Sequence, residues 1–157
     1  MKKVISLCLL FLSIVLLTGC GNNILANSGT LNCSKTYVDD GDNVIDKMVV
    51  NYKNNKVTSV ENIVTTEYFD TSYIDMVLSF GQAFVEGFNK YDGIEMSYGK
   101  VNENTIKLTI KADYEKIDGN ALKNAFGDTL EEDAFYLDTN ITLEDYKTEY
   151  LQDYTCK

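Results

Sequence analysis

From residue 94 to residue 112, apolar side chains recur at every second position on both sides of a short polar turn. Ile94, Met96 and Tyr98 alternate with polar residues or glycine, and so do Ile106, Leu108, Ile110 and Ala112. Successive side chains of an extended chain point to opposite faces, so this period of two predicts a half-buried strand on each side. The turn Asn102-Glu103-Asn104 sets Tyr98 opposite Leu108, Met96 opposite Ile110 and Ile94 opposite Ala112. Every apolar residue then lands on one face, and a one-residue slip would turn them all to solvent. This stretch reads as antiparallel sheet with one covered face.

Leu31 to Val38 predicts a first strand, followed by the dense turn signal Asp39-Asp40-Gly41-Asp42-Asn43. Val44 to Lys53 and Lys56 to Phe69 are rich in Val, Ile, Thr and Tyr. Asn54-Asn55 joins them as a two-residue loop that tolerates positive φ, with Tyr52 opposite Val57 and Val50 opposite Ser59. Asp70-Thr71-Ser72 starts a helix, and Asp75 follows Ser72 at capping-box spacing. Tyr73, Met76, Val77, Phe80, Ala83, Phe84, Phe88 and Tyr91 form its core-facing stripe. Tyr91-Asp92-Gly93 stops it. Asn120 to Phe126 reads as a short helix, and Gly127 to Asn140 is acidic and irregular. Thr142-Leu143-Glu144-Asp145 opens a last helix that runs through Leu151 or Asp153. The expected fold is a single α+β domain, an antiparallel sheet of about five strands on one long helix, with a C-terminal helix.

The N-terminus directs where such a domain resides. Lys2 and Lys3 precede an apolar run from Val4 to Leu17, which ends in Leu17-Thr18-Gly19-Cys20. A charged start, an apolar middle and small residues at a cut form a secretory signal. The cysteine makes it a lipobox, which resembles the pattern read by bacterial lipoprotein signal peptidase. The alternative is an uncleaved membrane anchor, but the run is short for a span. The expectation is that residues 1–19 are removed, that Cys20 carries lipid, and that residues 20–30 form a tether before a domain over 31–157. A flexible segment of that length spans roughly 15–20 Å. The chain is thereby expected at the cell membrane, lipid-anchored on its extracytoplasmic face.

Charge and absent residue types narrow the function. Lys2 and Lys3 leave with the signal, which takes a net charge of −10 two units further negative. Such a surface repels nucleic-acid phosphates and anionic headgroups, so no nucleic-acid partner is expected and lipid alone holds the protein at the membrane. The chain has no His, Trp, Pro or Arg. The commonest general base and metal ligand is missing, and so is the bidentate clamp for carboxylate or phosphate. Of the four cysteines, Cys8 leaves and Cys20 takes lipid, so Cys33 and Cys156 remain. In a compartment where disulfides persist they are expected to bridge, which would stabilise by roughly 4–5 kcal/mol through the length of the loop closed. Two free thiols or an intermolecular link are the alternatives. No C-x-x-C spacing points to a redox role.

Two segments carry a family resemblance. One is Tyr52-Lys53-Asn54-Asn55-Lys56-Val57, and the other runs from Lys90-Tyr91-Asp92-Gly93-Ile94-Glu95 through Tyr98 to Thr105-Ile106-Lys107-Leu108-Thr109-Ile110. The second continues into Asp113-Tyr114-Glu115-Lys116-Ile117-Asp118 and Ala121-Leu122. With the lipobox, these resemble the YehR-like family of small bacterial lipoproteins over most of residues 44–125. The resemblance implies a compact α+β domain on a lipid anchor and no particular activity. The acidic stretch after Gly127 and the Cys33/Cys156 pair depart from the plainest members.

No motif carries catalytic chemistry. Asp39, Asp40, Asp42 and Asn43 suggest a calcium loop, but an EF-hand needs an oxygen ligand at the third position and Glu at the twelfth. Those positions hold Gly41 and Val50, so no metal site is expected. Asp128, Glu131, Glu132, Asp133 and Asp138 form an acidic cluster, the best candidates for a paired-carboxylate mechanism. No nucleophile elbow or phosphate loop occurs, and no His activates a Ser or Cys. No catalytic residue and no cofactor are expected. Two surfaces are candidates for binding. Ile74, Leu78 and Val85 widen the apolar arc of the first helix beyond its core stripe, either to bury against the C-terminal helix or the loop before it or to form a groove. Tyr146, Tyr150 and Tyr154 recur every four residues on the last helix, either as half-buried packing or as a surface for sugars or peptides. The expected function is a non-enzymatic binding module of the cell envelope whose partner is an envelope protein, a peptide or a cell-wall fragment. The alternatives are a carboxylate-dependent hydrolase of envelope material and a small ligand-binding lipoprotein serving a transporter.

Overall fold

The computed structural model describes residues 28–126 and 139–157. In chain order they form β1 (Ser28–Asp39), β2 (Asp42–Lys53), β3 (Lys56–Glu67), α1 (Ile74–Phe88), β4 (Ile94–Asn102) and β5 (Thr105–Asp113). Then come α2 (Gly119–Phe126), α3 (Leu143–Tyr150) and β6 (Thr155–Cys156). All six strands join one antiparallel sheet in the order β4-β5-β3-β2-β1-β6. The expected α+β class therefore holds, with one strand more than expected. The addition is the two-residue β6, which pairs Cys156 with Cys33 and Thr155 with Ser34.

The sheet has one covered face. Met48, Val50, Val60, Met96, Ile110 and Ala112 point inward and are buried, while Lys47, Glu95, Lys107 and Lys111 point the other way and are exposed. Phe88 of α1 and Tyr146 of α3 belong to the same core as these strand residues. The second hairpin keeps the register read from its alternation: Tyr98 faces Leu108, Met96 faces Ile110 and Ile94 faces Ala112.

The first hairpin corrects the sequence reading. Tyr52 does pair with Val57, but Val50 faces Val60 and Ser59 faces Asn51. Thr58 is the extra residue of a β-bulge. Its hydroxyl donates to the Asn51 carbonyl at 3.2 Å, and its own carbonyl accepts the Tyr114 N–H at 3.0 Å. Val57 and Val60 are three apart, an odd spacing that a regular strand would split between two faces. The bulge brings both inward, where they are 3% and 1% exposed. The two-residue turns themselves follow their chemistry, with positive φ at Asp40 and Gly41 and at Asn54 and Asn55.

The C-terminal segment closes over the sheet. Thr142 caps α3, its hydroxyl accepting the Asp145 N–H at 3.2 Å. The N–H of Val57 donates to Ile141 at 3.2 Å and that of Leu143 to Asn55 at 3.0 Å, which docks the segment on the β2–β3 turn. Cys33 and Cys156 are bonded, with S–S 2.02 Å, so the bridge expected from the sequence is present in the fold.

Candidate functional site

The placement of α1 decides which surface the molecule presents. Its entry carries no capping box. Tyr73 is the N-cap and makes no side-chain cap bond. Asp70 instead accepts the Ser72 N–H at 2.9 Å in an Asx turn before the helix. The backbone N–H and hydroxyl of Ser72 hold the Asp70 carboxyl below its ordinary pKa. The preceding loop is tied to both neighbouring turns. Phe69 N–H donates to the Asp42 carboxylate at 2.8 Å, and Tyr68 N–H to the Asn104 carbonyl at 2.8 Å.

Two contacts set the rotation of α1 about its own axis. At Gly81 the helix backbone approaches Tyr98 so closely that an added Cβ would lie 2.1 Å from the ring. At Asn89 the carboxamide bonds both backbone groups of Met96 in the edge strand β4. Residues advance about 100° each around a helix. Ile74 and Phe88 therefore turn inward with Gly81, and both are buried. Met76, Phe80 and Phe84 lie on the flank away from the β4 edge and are 58%, 72% and 49% exposed.

This corrects the expected core stripe and removes the candidate groove on the helix. The expected core stripe included Met76, Phe80 and Phe84, which face solvent. The expected outer arc, Ile74, Leu78 and Val85, lies on the sheet side. Ile74 is buried, and Leu78 and Val85 are half-buried. The apolar arc of α1 spans more of its circumference than one sheet contact can cover. Hydrophobicity alone leaves the rotation undetermined, and Gly81 and Asn89 determine it.

The tyrosine row of α3 packs, and the binding surface considered for it is not formed. Tyr146 is fully buried, and its hydroxyl donates to Met48 Sδ at 3.0 Å. Its ring lies 4.8 Å from that of Tyr150, which is half-buried. Tyr154, just beyond the helix, is half-buried and donates to Asp46 Oδ2 at 2.6 Å. Asp46 Oδ1 accepts from Asn62 at 2.6 Å, so both oxygens of this buried carboxylate are engaged. Lys35 sits 4.6 Å from the centroid of the Tyr154 ring. Tyr146 is packing, and no open tyrosine row exists for a ligand to meet. Asp46 and Asn62 escaped the sequence reading, although inward-facing polar residues on two paired strands were the signal for them.

The remaining candidates place simply. Asp39 to Asn43 is a hairpin turn with Asp39 paired to Asp42. Among the described residues, no group of three or more metal-ligating side chains is gathered. Cys20 and the cluster Asp128, Glu131, Glu132, Asp133 and Asp138 lie outside the described residues. The open sheet face carries a shallow concavity of about 610 Å³ lined by Val49, Asn51, Ser59, Glu61, Lys111 and Glu95, among others. Lys111 stands 3.9 Å from Glu95 across it.

One end of the sheet gathers carboxylates beside the start of α1. The β1–β2 turn brings Asp39, Asp40 and Asp42, the loop after β3 brings Glu67 and Asp70, and the β4–β5 turn brings Glu103. Tyr73 reports the resulting field. Burial first, and then Asp42, Asp70 and Asp40, raise its hydroxyl above the ordinary pKa. Phe69 stands 90% exposed at this end. This was legible in the sequence only as separate turn signals.

Neither a family model nor a curated protein matches this chain. Two structures solved by NMR share its architecture. One is a protein from Streptococcus pneumoniae TIGR4, with TM-score 0.58 and 13% identity over 83% of this chain and 85% of that one. The other is the E. coli YehR protein, with TM-score 0.53 and 15% identity over 77% of this chain and 85% of that one. At such identities the likeness concerns architecture alone, and on that ground the chain has a YehR-like fold.

Proposed function

We propose that this chain is a YehR-like lipoprotein, held by lipid on Cys20 at the extracytoplasmic face of the cell membrane, where it acts as a non-enzymatic binding module. The observation that carries the binding role is the exposed row Met76, Phe80 and Phe84 on a helix whose opposite side is anchored in the core. Aromatic and Met side chains are enriched where proteins meet partners and are costly to leave in water. The lipobox supports the anchor, and the Cys33–Cys156 bond suits a compartment in which disulfides persist.

Two measurements test this reading. Cys20→Ala should yield a product without lipid by mass spectrometry, and normal lipidation of that variant would overturn the anchor. A photocrosslinking residue placed at Phe80 in living cells should give a discrete adduct that is missing when the residue is placed at Thr36 on the open face. No adduct at Phe80, with efficient activation, would remove the binding role.

A further inference from the structure

We propose that the outward row of α1, together with the carboxylate-rich end of the sheet where α1 begins, docks a cationic amphipathic helix of a partner protein. The proposal rests on the binding-module reading above and names the chemistry of its partner. Met76, Phe80 and Phe84 recur every four residues, an exposed apolar row that slants around the helix over about two turns. A seam of that form accepts the apolar face of another helix, anchored at matching intervals.

Charge identifies the other face of the partner. Asp39, Asp40, Asp42, Glu67, Asp70 and Glu103 share the end from which the seam starts, and none is in an ion pair among the described residues. Lys100 is engaged with Asp75 at 2.5 Å. Phe69 stands in this acidic end, its backbone held by Asp42 while its ring is 90% exposed. An exposed aromatic beside carboxylates that carry no ion pair among the described residues, although Asp42, Glu67 and Asp70 accept neutral hydrogen bonds, selects for a partner that offers apolar contact and positive charge together. A bilayer fits poorly, because anionic headgroups meet repulsion here. The antiparallel order also places this end opposite the start of β1 at Ser28.

The test uses the full chain in phosphatidylcholine nanodiscs, with empty discs as blank. The probes are a synthetic Leu/Lys helix with all lysines on one side, a scrambled peptide of the same composition, and a version with Gln in place of Lys. The amphipathic cationic helix should bind saturably, more weakly as salt rises, and the other two peptides at least about tenfold more weakly. Phe69→Ser and Phe80→Ser, at exposed positions, should keep the thermal midpoint and weaken binding about tenfold. Asp40→Asn with Asp70→Asn should weaken it several-fold and flatten the salt dependence. Equal binding of the scrambled peptide, unchanged affinity in the Phe variants, or transfer of the peptide to the lipid alone would overturn the proposal. An adduct at Phe80 in cells without binding of the cationic helix would leave the binding module standing and remove this partner.

Discussion

The carboxamide of Asn89 occupies both backbone groups that Met96 turns outward from the edge of the sheet. Its Oδ1 accepts the Met96 N–H at 2.6 Å and its Nδ2 donates to the Met96 carbonyl at 2.8 Å. One side chain thus stands in for the next strand beside β4, the terminal strand of the sheet, and blunts an edge that would otherwise template pairing with another chain. Asn89→Ala should cost about 1–2 kcal/mol, because two bonds are lost where water gains partial access. It should also promote concentration-dependent association. Urea unfolding and sedimentation velocity measure the two effects, and a variant equally stable and monomeric would show that the contact does neither.

Gly81 should tolerate no side chain. An added Cβ would meet three ring atoms of Tyr98 at 2.1, 2.2 and 2.7 Å, so the helix must lift or the ring must turn. Gly81→Ala gains helix propensity of about 1 kcal/mol yet should lower stability by about 1–3 kcal/mol through overpacking. Combining it with Tyr98→Ala should restore the gain expected of alanine in a helix, relative to Tyr98→Ala alone. Thermal unfolding of the three variants completes the cycle, and a neutral Gly81→Ala would mean that α1 is not held at this contact.

The disulfide should matter more than the two-residue strand that carries it. It links positions 123 residues apart, and closing so long a loop stabilises by roughly 4–5 kcal/mol in the chain-entropy account. Cys33→Ser with Cys156→Ser should therefore lower the urea midpoint strongly. β6 pairs with only Cys33 and Ser34 and should exchange its amide hydrogens first in that variant. Peptide mapping without reduction should recover the two cysteines in one linked mass. Separate peptides would contradict the bridge.

Alkaline pH should destabilise the fold. Burial, then Tyr68, lifts Tyr98 from its ordinary 10.0 to about 12. Burial also raises Tyr146, and burial with the bond to Asp46 raises Tyr154. The unfolded chain ionises these phenols near the ordinary value while the folded one resists. The contribution of Tyr98 is therefore complete below pH 10 and is lost as pH rises through about 12, and those of Tyr146 and Tyr154 are lost at still higher pH. The urea midpoint should stay level to about pH 9 and then fall, and Tyr146→Phe should reduce the fall. Ultraviolet titration should show these three tyrosines ionising only as the fold opens. Early ionisation of all tyrosines in a folded chain would exclude the effect.

Legibility followed the range of the interactions. The β4–β5 register could be read because alternation and a local turn demand the same pairing, and the cap at Thr142 because it lies within one turn of its own helix. The bulge at Thr58 was half-legible, as the odd interval between Val57 and Val60 conflicts with a regular strand. The capping box at Ser72 failed because an Asx turn at Asp70 competes for the same residues. The exposed row of α1 was misassigned because Met76, Phe80 and Phe84 are as apolar as the side chains that are buried.

By itself the sequence determined the class of fold, the strand pairs joined by short turns, the helix locations and the two cysteines left to bridge. All of these follow from periodicity and from contacts between near neighbours. Only the tertiary structure decided which flank of α1 meets the sheet, that Tyr146 is core, and that the acidic turns gather with the exposed Phe69 at one end of the sheet. An apolar arc wider than its contact can pack in more than one rotation at similar hydrophobic gain. The choice falls to steric and hydrogen-bonding partners distant from the apolar pattern, Tyr98 beneath Gly81 and Met96 beside Asn89.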